Sequence, residues 1–366
     1  SPSYGETNLE QVQRMIAAPT EGPFYMVNLI RYRELAVYAD GRPTELTGRE
    51  ANDLYSPVEF LADIGARAVF TGEVGGTTFG DEGTWETVAI VEYPCPLALF
   101  AMSAHPEFQS RSTHKDAGLE ASLVIVTHSQ PIDSAEPTDS LYPPSDTDPS
   151  FELVQLVRLR DDAQYDAEAN EANRTGAEAM ALYDAGVADA ERRLGVFPKA
   201  RLDVDGVFIG DGRVWNEVRI DFVPSSAAYD AFVADPEVVG VAYHRDAALD
   251  EGYGLITDPL VSAIPNGSDD EASITPPPVA ADGTGTLCQS DAACPGDGVD
   301  LCISEGNGGG FCTREGCDAG GCAAPYKCCH DCSPTASALL PFEGSACLPD
   351  SFVQQLTIAP VSCSCD

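Results

Sequence analysis

At 366 residues the chain is too long for one ordinary core and points to two or three domains. Its 59 acidic residues against 20 basic ones give a formal charge of −39, which repels polyanions at every orientation and excludes nucleic acid as a partner. No apolar run approaches the length of about 20 residues that a membrane span requires, and the chain starts at Ser1 without a basic and apolar leader, as expected of a mature exported form.

The spacing of Thr7-Asn8-Leu9-Glu10 fits a helix-capping box and predicts an N-terminal helix over 8–18. A β-rich run follows at 24–33, then a helical stretch near 49–64 and strands near 67–74 and 84–93 joined by Gly-rich turn residues. A helical pair broken at Pro106 and a strand at 122–127 complete this set. After an acidic Pro/Ser linker at 129–150 the same order returns: a strand at 151–160, a long helix at 162–194, and strands at 198–207 and 213–222. Helices at 225–234 and 236–247 and a short strand at 253–257 close it. A second linker, 264–286, contains Pro276-Pro277-Pro278 and a Ser-Asp-Asp-Glu run that cannot bury enough apolar surface to fold alone. The expected units are therefore 1–128, 151–263 and a tail at 287–366.

The two sets are copies of one another. Phe24-Tyr-Met-Val-Asn-Leu-Ile-Arg-Tyr-Arg33 echoes Phe151-Glu-Leu-Val-Gln-Leu-Val-Arg-Leu-Arg160. Downstream, at a constant offset of 130, Gly65 meets Gly195, Trp85 meets Trp215, Pro94 meets Pro224, Pro106-Glu107 meets Pro236-Glu237, and His114-Lys-Asp-Ala117 meets His244-Arg-Asp-Ala247. Strand, helix, strand, strand, helix, strand is the ferredoxin-like order. Such a unit leaves one face of its sheet bare, and a sibling on the same chain can cover it. The fold class expected is α+β: two ferredoxin-like repeats forming a pseudo-dimeric barrel with helices outside, followed by a small disulfide-rich domain.

Met26-Val-Asn-Leu29, the Trp85 strand ending in Tyr93-Pro94, and Pro106-Glu-Phe108 with His114-Lys-Asp-Ala-Gly-Leu-Glu120 resemble a DUF1330-type domain of the dimeric α+β barrel superfamily. The resemblance covers about 24–128 well and 151–258 more loosely, where Gln155 replaces Asn28 and Ala248 replaces Gly118. It implies the fold. Function it leaves open, because the superfamily includes monooxygenases, haem enzymes and non-enzymatic binders.

Candidate pocket residues come from positions that the repeats share. His114 and His244 are either helix-end histidines bonded to backbone or proton-shuttling groups of a pocket. Asn28 and Gln155 sit among apolar strand neighbours and must find hydrogen-bond partners, from nearby backbone or from a ligand in the barrel. In the strand 214–222, alternation separates Val214, Val218, Ile220 and Phe222 from Trp215, Glu217, Arg219 and Asp221; the first copy has Trp85, Thr87, Ala89 and Val91 on the matching face. If the apolar set packs under the helices, the charged set looks toward the opposite sheet, and that side is wet. Asp203-Val-Asp205-Gly206 reads as a hairpin turn rather than a calcium loop.

Cys95 stands apart, whereas Cys288, Cys294, Cys302, Cys312, Cys317, Cys322, Cys328, Cys329, Cys332, Cys347, Cys363 and Cys365 form an even dozen in the tail. That is the pattern of a disulfide framework made in an oxidising compartment, so a secreted, periplasmic or cell-surface location is expected. Cys328-Cys329-His330-Asp331-Cys332 reads as part of that framework rather than a zinc site. No metal and no cofactor is expected from motifs, haem being the one group that the family resemblance keeps open. Two readings of function follow, with a third beside them. One is a non-catalytic extracellular binding or structural protein whose barrel holds a small ligand or a partner surface and whose tail gives durability or attachment to a cell-surface partner. Another is a cofactor-free or haem-using enzyme with His114 or His244 as base or ligand and Arg219 or Asn28 polarising a small apolar or aromatic substrate. The third is a self-assembling fibre or surface-layer subunit.

Overall fold

Each repeat lays down four strands that pair in the order last, first, third, second, and the free edges of the two sheets then pair with each other. In the computed structural model this holds for the described residues, which are 2–18, 22–81, 83–132, 140–169 and 171–264, with residue 322 and the strand segments 287–288, 301–304, 310–313, 327–330, 346–348, 357–358, 361–362 and 364–365 of the tail. The first repeat is preceded by β1 (Glu6–Thr7) and α1 (Leu9–Ala17). It consists of β2 (Phe24–Tyr32), α2 (Gly48–Tyr55), α3 (Val58–Asp63), β3 (Arg67–Phe79), β4 (Thr87–Tyr93), α4 (Pro96–Ala104), α5 (Pro106–Gly118) and β5 (Leu119–Ser129). The second consists of β6 (Phe151–Leu159), α6 (Gly176–Leu194), β7 (Phe197–Gly210), β8 (Glu217–Val223), α7 (Ser226–Val233), α8 (Pro236–Ala248) and β9 (Leu249–Ser262).

Long strands close the barrel. β3 of the first repeat pairs antiparallel with β9 of the second, and β7 of the second pairs with β5 of the first, so the ring runs β7-β5-β2-β4-β3-β9-β6-β8 and back to β7. Every ladder is antiparallel. Closure removes the unpaired edges that an open sheet would expose. Inside the ring, Tyr25, Val27, Leu29, Val88, Ile90, Val154, Leu156, Leu202, Val218 and Ile220 form one buried cluster drawn from both repeats. Trp85 and Trp215 belong to it and meet through Tyr253, with ring centroids 6.1 and 5.7 Å away.

The structure corrects several expectations. The apolar set of β8 faces the barrel interior, and Glu217, Arg219 and Asp221 face the helices. The reason is dryness: eight paired strands seal the interior on all sides, so it takes the residues that cost nothing to desolvate. Trp215 falls on the apolar side with them, because the chain reverses phase at Asn216 ahead of β8. The long helix begins at Gly176, where Thr175 and Glu178 form a reciprocal capping box. The helix expected over 49–64 is two, divided at Ser56 (φ 30°) and Pro57, since proline disfavours the helical conformation of the residue before it. Asn8 rather than Thr7 caps α1. Asp203 to Gly206 lie within β7, not at a turn, and Asp205 accepts from Gln11 and pairs with Arg14.

In the tail, Cys322 bridges Cys347 and Cys328 is also disulfide-bonded. Cys328 and Cys347 join the buried cluster of the first repeat that contains Met15, Phe24, Leu97 and Phe108. The side chains of the remaining nine tail cysteines lie outside what the structure describes. Among the described residues no helix is long and apolar enough to cross a membrane.

A barrel interior shared by both repeats predicts that they unfold as a unit. Leu29→Ala, at a fully buried site, is expected to cost about 2–5 kcal/mol, with Trp85 and Trp215 emission shifting in a single denaturant transition; two separated transitions would contradict the shared core.

Candidate functional site

The layer between sheet and helices is built alike in both repeats, yet the space that phenyl rings fill in the first is open in the second. In the first, Phe60 and Phe108 meet edge to face at 5.4 Å, Tyr55 adds a third ring 5.6 Å from Phe108, and Leu61, Ile64 and Met26 fill the rest. At the offset of 130, Phe60 becomes Ala190 and Phe108 becomes Val238, both buried. Two phenyl rings are thereby removed from one side of a closely packed layer, and a void follows unless the backbone collapses. It has not collapsed: a cavity of about 360 Å³ lies under α6, α7 and α8 of the second repeat.

Its walls are apolar, from Leu153, Val157, Met180, Val196, Phe232 and Val238 among others, while one end carries Gln155, Arg201, Arg219, Asp221, Asp184 and Glu191. Thr78 and Phe79 reach in from β3, so the first repeat completes the site. Glycines at 252 and 254 leave room for Phe79, since a Cβ at either position would lie 2.8 or 2.5 Å from its ring. The polar end is a chain of ion pairs. Arg201 donates to Asp221 at 2.7 Å, Gln155 donates to the other oxygen of Asp221 at 2.8 Å, and Arg219 donates to Asp184 at 2.5 Å. Glu217 lies between the arginines, 3.9 Å from Arg201 and 3.8 Å from Arg219. In the first repeat the positions of Arg201, Glu217, Arg219, Asp221 and Glu191 are held by Thr71, Thr87, Ala89, Val91 and Leu61. The network thus belongs to the hollow half alone.

Burial, reinforced by the charges of Asp221 and Asp184, pushes the Glu191 carboxyl up to about 7 despite the opposing pull of Arg201 and Arg219. Burial raises Glu217 as well. An acid whose folded pKa exceeds its unfolded value binds more protons when folded, so stability falls as pH rises through the interval from 4.5 to about 7. Glu191→Gln is therefore expected to raise the melting temperature at pH 8 and leave it nearly unchanged at pH 4, as checked by calorimetric scans; equal shifts at both pH values would contradict the assignment.

The sequence candidates divide between this cavity and other places. Gln155, Arg219 and Asp221 line it, and Glu217 supports its arginines. Asn28, on the matching face of β2, donates to the carbonyls of Met26 and Ala89, which is the backbone-bonded option. Trp85 and Trp215 pack in the barrel interior. His114 and His244 hold loops: their Nδ1 atoms lie 2.7 and 2.8 Å from the hydroxyls of Tyr38 and Tyr165, and neither lines the cavity. Lys115, the counterpart of Arg245, lies against Tyr55 and Tyr4, and burial pushes its amine down to about 8. Sequence reasoning missed Glu191, Asp184 and Arg201. Comparing the repeats position by position would have found Glu191, where an aligned leucine gives way to an acid.

Haem would need an axial histidine, cysteine, tyrosinate, or methionine alongside a histidine. The lining contains neither histidine nor cysteine and offers only tyrosines, of which burial raises Tyr183, so it fits haem poorly.

No protein-family model matches the sequence, and no curated protein matches it. Among solved structures, RPA0582, a protein of unknown function from Rhodopseudomonas palustris, is 27% identical over 37% of this chain and 99% of its own, with a TM-score of 0.31. An anthrone oxidase-like protein is 13% identical over 68% of this chain and 97% of its own, with a TM-score of 0.42. Chlorite dismutase from Candidatus Nitrospira defluvii, in complex with imidazole, is 11% identical over 68% of this chain and 95% of its own, with a TM-score of 0.35.

Proposed function

We propose that this is an extracellular small-molecule-binding protein whose ligand occupies the cavity of the second repeat, while the first repeat serves as the structural half of the barrel. The observation that carries the reading is the exchange of Phe60 and Phe108 for Ala190 and Val238 between otherwise matching layers, which opens in the second repeat the space those rings fill in the first. Enclosed volume, apolar walls and a few convergent polar groups at one end are the usual features of sites for small organic molecules, whose volumes run about 300–1,000 Å³. The bridges at Cys322–Cys347 and Cys328 support the extracellular location, since such bonds persist in oxidising surroundings.

The first repeat supplies its own control. Val238→Phe restores the ring that Phe108 provides in the filled half, so the variant is expected to fold. The neutral polarity-sensitive dye N-phenyl-1-naphthylamine is expected to brighten at one saturable site of the native protein and to lose that site in Val238→Phe. Unchanged brightening in the variant, or none in the native protein, would sink the proposal.

Glu191 supports a second reading, a cofactor-free enzyme, because a buried carboxyl titrating near neutrality is suited to take a proton from a bound substrate. Glu191→Gln would then bind a neutral substrate with unchanged affinity and fail to turn it over. Turnover surviving in that variant would remove Glu191 as the base.

A further inference from the structure

The polar end of the cavity is short of positive charge. Arg201 and Arg219 are both already held by carboxylates, Arg201 by Asp221 and Arg219 by Asp184, and Glu217 faces the two of them. That leaves three internal acids, Glu191, Glu217 and Asp221, against two internal arginines, with Asp184 at the rim, its side chain 43% exposed. The third arginine of the lining, Arg245, sits at the rim with its side chain 39% exposed, beside Asp246 and over the ring of Tyr183. Glu191 lines the cavity, and neither a hydrogen bond nor an ion pair holds its carboxylate among the described residues. A ligand carboxylate entering here would meet carboxylates whose counter-ions are already committed.

Two further observations bear on what fits. Tyr183, Tyr229, Phe232 and Phe79 supply ring faces and edges around the space, a setting that accommodates an organic cation. Arg219, only 5% exposed, has an Nε hydrogen without an acceptor in hydrogen-bond range, which a neutral oxygen could satisfy without adding negative charge. At long range, the formal charge of −39 draws cations toward the protein and repels anions.

Resting on the binding function argued above, we infer that the cavity selects small apolar amines, with Glu191 as the counter-ion of the ammonium group, and rejects carboxylic acids of the same shape. The apolar walls take the hydrocarbon body, and Glu191 takes the head.

The test uses three probes of similar size on the full-length protein at pH 8, where Glu191 is ionised: 2-phenylethylamine, 2-phenylethanol and 3-phenylpropanoate, measured by titration calorimetry. The amine is expected to bind about tenfold or more tighter than the alcohol, the return of one charged hydrogen bond, and the propanoate more weakly than either. Glu191→Gln, nearly the same in shape, is expected to bring the amine down to the level of the alcohol while the alcohol stays unchanged. Propanoate binding as tightly as the amine would overturn the inference, as would an amine advantage that survives in Glu191→Gln, or loss of amine and alcohol alike. Alcohol that binds the native protein and is lost in Val238→Phe, with no amine advantage, would overturn the selectivity and leave the binding function standing. Failure of all three probes to bind would remove both.

Discussion

The reciprocal pairing of β3 with β9 and of β5 with β7 is the constraint on which the rest depends. A four-stranded sheet with helices on one face must cover the other, and here each repeat lends its sibling a long strand at both seams. The resulting interior is a core of side chains from both repeats, walled by strands on every side of the ring. The central inward positions of β2, β4, β6 and β8 therefore carry apolar side chains, from Tyr25, Val27 and Leu29 to Val218 and Ile220, while Glu152, on the same alternation at the start of β6, is paired with Lys199. The charged positions in the middle of β7 and β8, Arg201, Glu217, Arg219 and Asp221, lie on the outer face. Whatever chemistry the chain performs at its polar strand residues takes place between sheet and helices rather than inside the ring.

On that outer face the repeats have parted. In the first, aromatic rings close the layer, and the tail disulfides, α1 and Tyr4 add further cover. In the second, the same backbone carries alanine and valine where the rings were, and the strand residues below have become Arg201, Glu217, Arg219 and Asp221. The two changes depend on each other. Four carboxylates and two arginines under a fully packed helix layer would be costly to desolvate, whereas a hollow open at Arg245 and Asp184 lets them keep part of their hydration. Stability lost to the void is offset by the apolar barrel interior that both repeats share.

Much of this was legible in the sequence because a repeat contains its own alignment. The coincidence of Trp85 with Trp215 and of His114 with His244 located the strands and helices, and the ferredoxin-like order gave the barrel. Face assignment on β8 was not legible. Alternation sorts residues into two sets without saying which set faces the drier side, and the helix side looks the more natural home for valine and isoleucine until the ring is known to close. The histidines stood out because both repeats keep them, but shared residues mark what the halves have in common, and here that is a tyrosine–histidine contact pinning a loop. The cavity instead follows the positions where the repeats differ: Leu61 to Glu191, Phe60 to Ala190, Phe108 to Val238.

In a duplicated fold, then, likeness and difference report on separate things. Matching positions are those the barrel needs twice, so their physical role is closure and packing. Mismatched positions are free of that requirement and can serve something outside the chain. A buried acid replacing a leucine is the sharpest such case, because leaving it without a counter-charge lowers stability once it ionises. The cost of Glu191 is borne at every pH above its titration, because Arg201 and Arg219, already held by Asp221 and Asp184, offset its burial only in part. A residue that weakens the fold and whose internal counter-charges are committed to other acids is best accounted for by an external partner, and its own charge defines the chemistry of that partner.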